Sequence, residues 1–107
     1  MKLLIVDSCI SQRGEQSRTK KLLMAYVEEF CRCHPDTETE TVTPEVLLAL
    51  RPFDPAMLDA RDELAHRRRF DAPVFDLARQ FLAADAVVVA APCWDLQFPA
   101  ALRTYIE

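Results

Sequence analysis

The distribution of apolar residues switches between two periods along the chain. Leu3, Leu4, Ile5 and Val6 form a short, wholly apolar run closed by Lys2 and Asp7, the pattern of a strand covered on both faces in a parallel sheet. A polar loop follows, containing the only glycine, Gly14. From Ser17 the period changes: Leu23, Tyr26, Val27, Phe30 and Cys31 recur at the spacing of one stripe of an amphipathic helix, which the pattern ends near Cys33, His34 and Pro35. Residues 37–43 alternate threonine with glutamate before Val42, β-prone but polar, and predict a strand at a sheet edge. Asp54 and Pro55 place a cap and a proline at a helix start, and the polar helix they open runs to about Arg69. Asp71 and Pro73 open another, with a stripe of Val74, Leu77, Ala78, Phe81 and Leu82. Residues 86–91 form a second fully apolar strand, Pro92 stops it, and Pro99 starts a last helix.

The predicted order is β-α-β-α-α-β-α. Buried strands separated by helices, joined by right-handed crossovers, make a doubly wound parallel sheet with helices on both faces, a three-layer α/β/α arrangement read as one domain over residues 1–107. In such sheets ligands bind beyond the C-terminal strand ends where successive connections leave in opposite directions, which in the strand order 2-1-3-4-5 lies between strands 1 and 3. Two loops are expected to meet there, residues 8–19 and 92–98.

Composition narrows the partners. With 107 residues, half of them apolar, the chain builds one core and not two. A net charge of −4 with both signs interspersed gives no broad positive face for a nucleic-acid backbone or an anionic membrane. No apolar run has the length to cross a bilayer. The opening run of four apolar residues is shorter than the roughly 7–15 of an export signal. A soluble, cytoplasmic protein is expected, its four cysteines reduced.

The first loop, Asp7 to Thr19, is rich in hydroxyls where it enters a helix. A phosphate there meets unpaired backbone N–H groups and the positive end of the helix dipole, with the Ser17 and Thr19 hydroxyls as added donors and no metal needed. Neither Gly-Lys-Ser/Thr nor Gly-x-Gly-x-x-Gly is present, so a phosphate monoester, as in FMN, is the better fit. The alternative is that Ser17 merely caps a helix. The second loop, Ala91 to Pro99, brings an aromatic side chain and backbone amides to the other side of the same crevice. Those amides suit the edges of a flavin ring and Trp94 an apolar flank of it. The alternative is that Trp94 and Phe98 are buried packing where strand meets helix.

Ser17-Arg18-Thr19 at the start of the first helix, and Ala84 to Pro92 running into Cys93-Trp94-Asp95-Leu96-Gln97-Phe98-Pro99 and then Leu102 and Tyr105, resemble the flavodoxin-fold NAD(P)H:quinone oxidoreductases and FMN-dependent azoreductases over the whole chain. The resemblance implies a flavodoxin-like fold with strands 2-1-3 present. It implies Ser8, Ser17, Arg18 and Thr19 around an FMN phosphate, Arg18 through its backbone amide. Pro92, Cys93, Trp94, Asp95 and Leu96 would line the isoalloxazine ring. Hydride passes in that family from NAD(P)H through flavin to a small-molecule acceptor, with no protein nucleophile, usually in a homodimer. The family continues past the equivalent of Glu107 through strands 4 and 5. Without them strand 3 is an exposed apolar edge, and a truncated frame or fragment is expected, with a non-catalytic flavodoxin-like scaffold as the competing reading.

Other constellations carry less. Cys9 between a strand and a helix invites comparison with low-molecular-weight phosphatases, but their Cys-x5-Arg spacing needs arginine where Glu15 stands. Cys31, Cys33 and His34 offer three metal ligands in four positions without a second pair, and Cys31 continues the apolar stripe. Cys93 suits packing as well as redox chemistry. Arg67, Arg68 and Arg69 complement a helix C-terminus, with Arg67 placed to pair with Glu63 and His66 exposed beside them.

Overall fold

A computed structural model of the protein describes residues 1–10, 17–93 and 98–107. Strand β1 (Lys2–Asp7) lies between β2 (Glu38–Val42) and β3 (Ala86–Ala90), and both neighbours run parallel to it. The apolar run takes the centre because only there are both faces of a strand covered. Lys2 stands opposite Glu38 and Val6 opposite Val42 on one side, while Leu3 stands opposite Ala86 and Asp7 opposite Ala90 on the other. The order β2-β1-β3 and the polar edge character of β2 follow the sequence pattern.

Successive residues of a strand point to opposite faces, and this divides the core in two. Leu4 and Val6 turn to one face with Val42, Leu47 and Leu102; Leu3 and Ile5 turn to the other with Leu23 and Ala90. Helix α1 (Arg18–Cys33) covers the second face through Leu23, Val27 and Phe30. The first face takes α2 (Pro44–Ala49), α4 (Asp76–Ala83) and α5 (Ala100–Ile106). The result is the expected three-layer sandwich.

Three local details differ from the sequence pattern. Helix α2 has no counterpart in the sequence pattern: Thr43 caps it through Oγ1, which accepts from the Val46 amide at 3.4 Å, Pro44 opens it, and Leu47 is buried. Its six residues are too few to display a 3.6-residue period, although Thr-Pro-Glu is an N-terminal signature. Helix α3 (Pro55–His66) starts as expected, with Asp54 Oδ1 accepting from the Met57 amide at 2.8 Å, but ends before Arg69. Arg68 adopts φ 58°, and the amides of Arg68 and Arg69 return to the carbonyls of Ala65 and Leu64. This is the Schellman closure, with arginine at the position glycine usually fills. Arg67 does pair with Glu63, at 2.7 Å.

The third detail is α4. A 3-10 turn, Pro73–Phe75, precedes it, so Phe75 is buried in place of Val74 and the stripe is only partly covered. Leu77 packs on the core, yet Leu82 is 83% exposed and Val89 of the β3 edge 46%. The Cα radius of gyration, 15.6 Å, exceeds the roughly 13 Å typical of a closed domain of this length. No described helix is long and apolar enough to cross a membrane.

Candidate functional site

The two sequence-predicted loops leave the same end of adjacent strands. Asp7 and Ala90 are register partners at the C-terminal ends of β1 and β3. Ser8 then ties the two exits together, donating to the Ala90 carbonyl through its amide at 3.0 Å and through Oγ at 2.5 Å. Ser8 is fully buried, so its hydroxyl serves to hold the two strand ends together.

Ser17 caps α1 from an extended backbone, φ −66° and ψ 125°, with Oγ accepting from the Lys20 amide at 3.3 Å. That leaves the first amides of the helix, those of Arg18 and Thr19, without intrahelical acceptors. The first turn holds Arg18, Lys20 and Lys21 and no acidic residue. Cations at the positive end of a dipole oppose the helix; an anion bound there is attracted by both and offsets that repulsion. The arrangement therefore fits a phosphate, the test any mononucleotide assignment has to pass. Arg18 is exposed, whereas Thr19 is half-buried and Ser17 buried.

Sequence reasoning passed over two charged residues in this place. The Asp7 carboxylate, 2% exposed, accepts from the Cys9 amide at 3.0 Å through Oδ1 and forms an ion pair with Lys20 through Oδ2. Asp7, Cys9, Ser17 and Lys20 line one wall of a cleft of about 500 Å3, and Thr43 and Glu45 at the start of α2 line the other. Both omissions carried a signal: a carboxylate that ends an apolar strand, and a lysine in the first turn of a helix, each lack an obvious local partner.

The Cys9 thiol is pushed up to about 11, by burial first and then by the hydrogen bond and charge of Asp7, with Ser17 and Lys20 pulling the other way. A phosphatase nucleophile needs the opposite shift. Cys9 at neutral pH is a neutral thiol, which removes chemical support from the phosphatase reading beyond the mismatch at Glu15.

On the second loop Pro92 is half-buried and Cys93 exposed. Phe98 is 55% exposed, contrary to the packing alternative for that residue, and Pro99, the N-cap of α5, is buried in its place. Trp94, Asp95 and Leu96, assigned to the ring on sequence grounds, lie outside the described residues. Of Ser8, Ser17, Arg18, Thr19, Pro92 and Cys93, only Ser17 lines the cleft of about 500 Å3, and none lines an apolar groove of about 410 Å3 between α4 and α5. Cys31 is half-buried, while Cys33 and His34 are exposed; His34 Nδ1 lies 3.2 Å from the Phe30 carbonyl and the Cys33 thiol faces Glu29. The three do not converge on a point.

Comparison with known proteins agrees with this fold. A family model described as flavodoxin-like fold matches residues 1–107. An FMN-dependent NADH:quinone oxidoreductase of Clostridium perfringens is 35% identical over 109 residues, covering 99% of the chain and 52% of that protein. One of the same name from Lachnoclostridium phytofermentans is also 35% identical, with the same coverage. The crystal structure of an azoreductase from Bacillus anthracis superposes with a TM-score of 0.81 at 27% identity, over 99% of the chain and 53% of that structure. The chain spans about half the length of the curated relatives it matches.

Proposed function

The chain belongs to the flavodoxin-like fold family, and on that premise we propose that it carries the flavin-phosphate site of an FMN-dependent NAD(P)H oxidoreductase that reduces quinones or azo compounds. The observation that carries this reading is the side-by-side exit of two loops from β1 and β3, tied at Ser8 and Ala90, with the cation-bearing start of α1 at their mouth. The names of the relatives support the same cofactor and acceptor classes.

In this reading Ser17, Thr19 and the Arg18 amide hold the phosphate, and buried Ser8 braces the floor. Pro92, Cys93, Trp94, Asp95 and Leu96 flank the ring and exclude water from one side of it. When bound, FMN supplies the hydride chemistry, and the chain contributes binding, orientation and electrostatics. The nicotinamide donor and the electron acceptor are small molecules. The protein works in the cytoplasm as a homodimer, residues 1–107 forming one domain.

Titration of the chain into FMN tests the reading directly. Quenching of flavin fluorescence with micromolar affinity, weakened by Ser17→Ala combined with Thr19→Ala, is the expected outcome. Absence of binding at millimolar FMN overturns it. One competing reading is a non-catalytic flavodoxin-like module of the same fold. NADH oxidation with a quinone acceptor separates the two. Turnover is expected once a segment equivalent to the rest of the relatives' length is supplied; FMN binding that never leads to turnover favours the module.

A further inference from the structure

Two costly placements coincide at the wall of the cleft. Burying an ion pair takes two charges out of water, a cost that Coulomb attraction repays only in good geometry. The carboxylate of Asp7 bears it at 2% exposure. Lys20, its partner, stands in the first turn of α1, where the helix dipole repels a cation. A lysine ammonium has three donors. Asp7 engages one, and the side chain, 35% exposed, borders the cleft beside Ser17. Arg18 and Lys21 share the turn, but their side chains are exposed, where solvent and salt screen them.

We propose that Lys20 is the cation that makes this site select a phosphorylated flavin, with Asp7 as its positioning residue: Nζ, anchored by the buried carboxylate, bridges Asp7 and the ligand's phosphate monoester. The inference rests on the flavin reading above and adds to it the group that distinguishes FMN from riboflavin. A bare carboxylate at this point would repel a phosphate. Paired with Lys20 it instead holds an ammonium at fixed distance from the helix start, so little side-chain entropy is left to lose when the ligand arrives.

The test compares FMN with riboflavin by fluorescence titration on the whole chain, at low and high salt. Unaltered protein should bind FMN at least about tenfold more tightly than riboflavin, the range of one charge-assisted contact. Lys20→Gln should erase most of that preference by weakening FMN alone, and should flatten the salt dependence; Lys20→Arg should keep both. Since Lys20→Gln leaves Asp7 buried without its partner, the double variant Lys20→Gln with Asp7→Asn covers a failure to fold, and it too should lack the preference. If the double variant regains it, Lys20 only neutralises Asp7, and the proposal falls. It falls equally if Lys20→Gln keeps the preference or loses both ligands in parallel. Failure of unaltered protein to bind either flavin overturns the flavin reading itself, a distinct outcome from FMN binding that ignores Lys20.

Discussion

Ser8 donates twice to one oxygen: its amide reaches the Ala90 carbonyl at 3.0 Å and its hydroxyl reaches the same atom at 2.5 Å. The amide bond closes the β1–β3 ladder, and the hydroxyl adds a second donor to its last acceptor, where the two strands end. Removing it by Ser8→Ala leaves the carbonyl still bonded to the amide, so no buried group is orphaned. The expected cost is about 1 kcal/mol, read as a lower denaturant midpoint at unchanged slope. An unchanged midpoint would mean that the hydroxyl bond contributes nothing in solution.

Helix α2 can be tested by two adjacent leucines. Leu47 is buried against Leu4, Val6 and Val42, whereas Leu48 is 60% exposed. Leu47→Ala should destabilise by about 2–5 kcal/mol, enough to unfold much of the population of a marginally stable chain. Leu48→Ala should stay within roughly 0.5 kcal/mol. Equal effects would place the helix in another register.

Arg68 ends α3 with φ 58°, a conformation that costs a residue bearing a Cβ about 1 kcal/mol or more and glycine nothing. Against this stands the extra unfolded-state entropy of glycine, roughly 0.5–1 kcal/mol. Arg68→Gly should therefore be neutral to stabilising by up to about 1 kcal/mol, while Arg68→Val, β-branched, should destabilise. Thermal melts of the pair decide it, and a clear loss on Arg68→Gly would contradict the left-handed closure.

Cys9 supplies the pH dependence. Its pKa is raised to about 11 from the ordinary 9.0, so the folded state keeps its thiol proton after the unfolded state has lost it. The stabilisation is complete below pH 9 and disappears as pH rises through about 11. Mass-spectrometric mapping of iodoacetamide labelling at pH 8 should find Cys33 and Cys93, both exposed, modified well before Cys9. Labelling of Cys9 at a matching rate would show that its thiolate is not suppressed. Above pH 10 a Cys9→Ala chain should lose less stability with rising pH than the unaltered one.

What the sequence determined by itself is local and periodic. Two wholly apolar runs became β1 and β3, the threonine-glutamate alternation became the edge strand β2, and Ser17 and Asp54 became caps, because strand burial, helix stripes and N-caps are all decided within a few neighbouring residues. The adjacency of the strand ends from which the two loops leave was legible too, since parallel strands joined by crossovers bring equivalent ends together. Tertiary structure alone decided which groups across the cleft meet. Asp7 and Lys20 are thirteen residues apart, and their pairing depends on how α1 sits over β1, which no periodicity records. The α4 stripe is apolar at helical spacing, but a stripe states only which side avoids water. Whether a neighbour covers it depends on elements elsewhere, and here Leu82 stays in solvent while Phe75, one residue off the expected face, is buried.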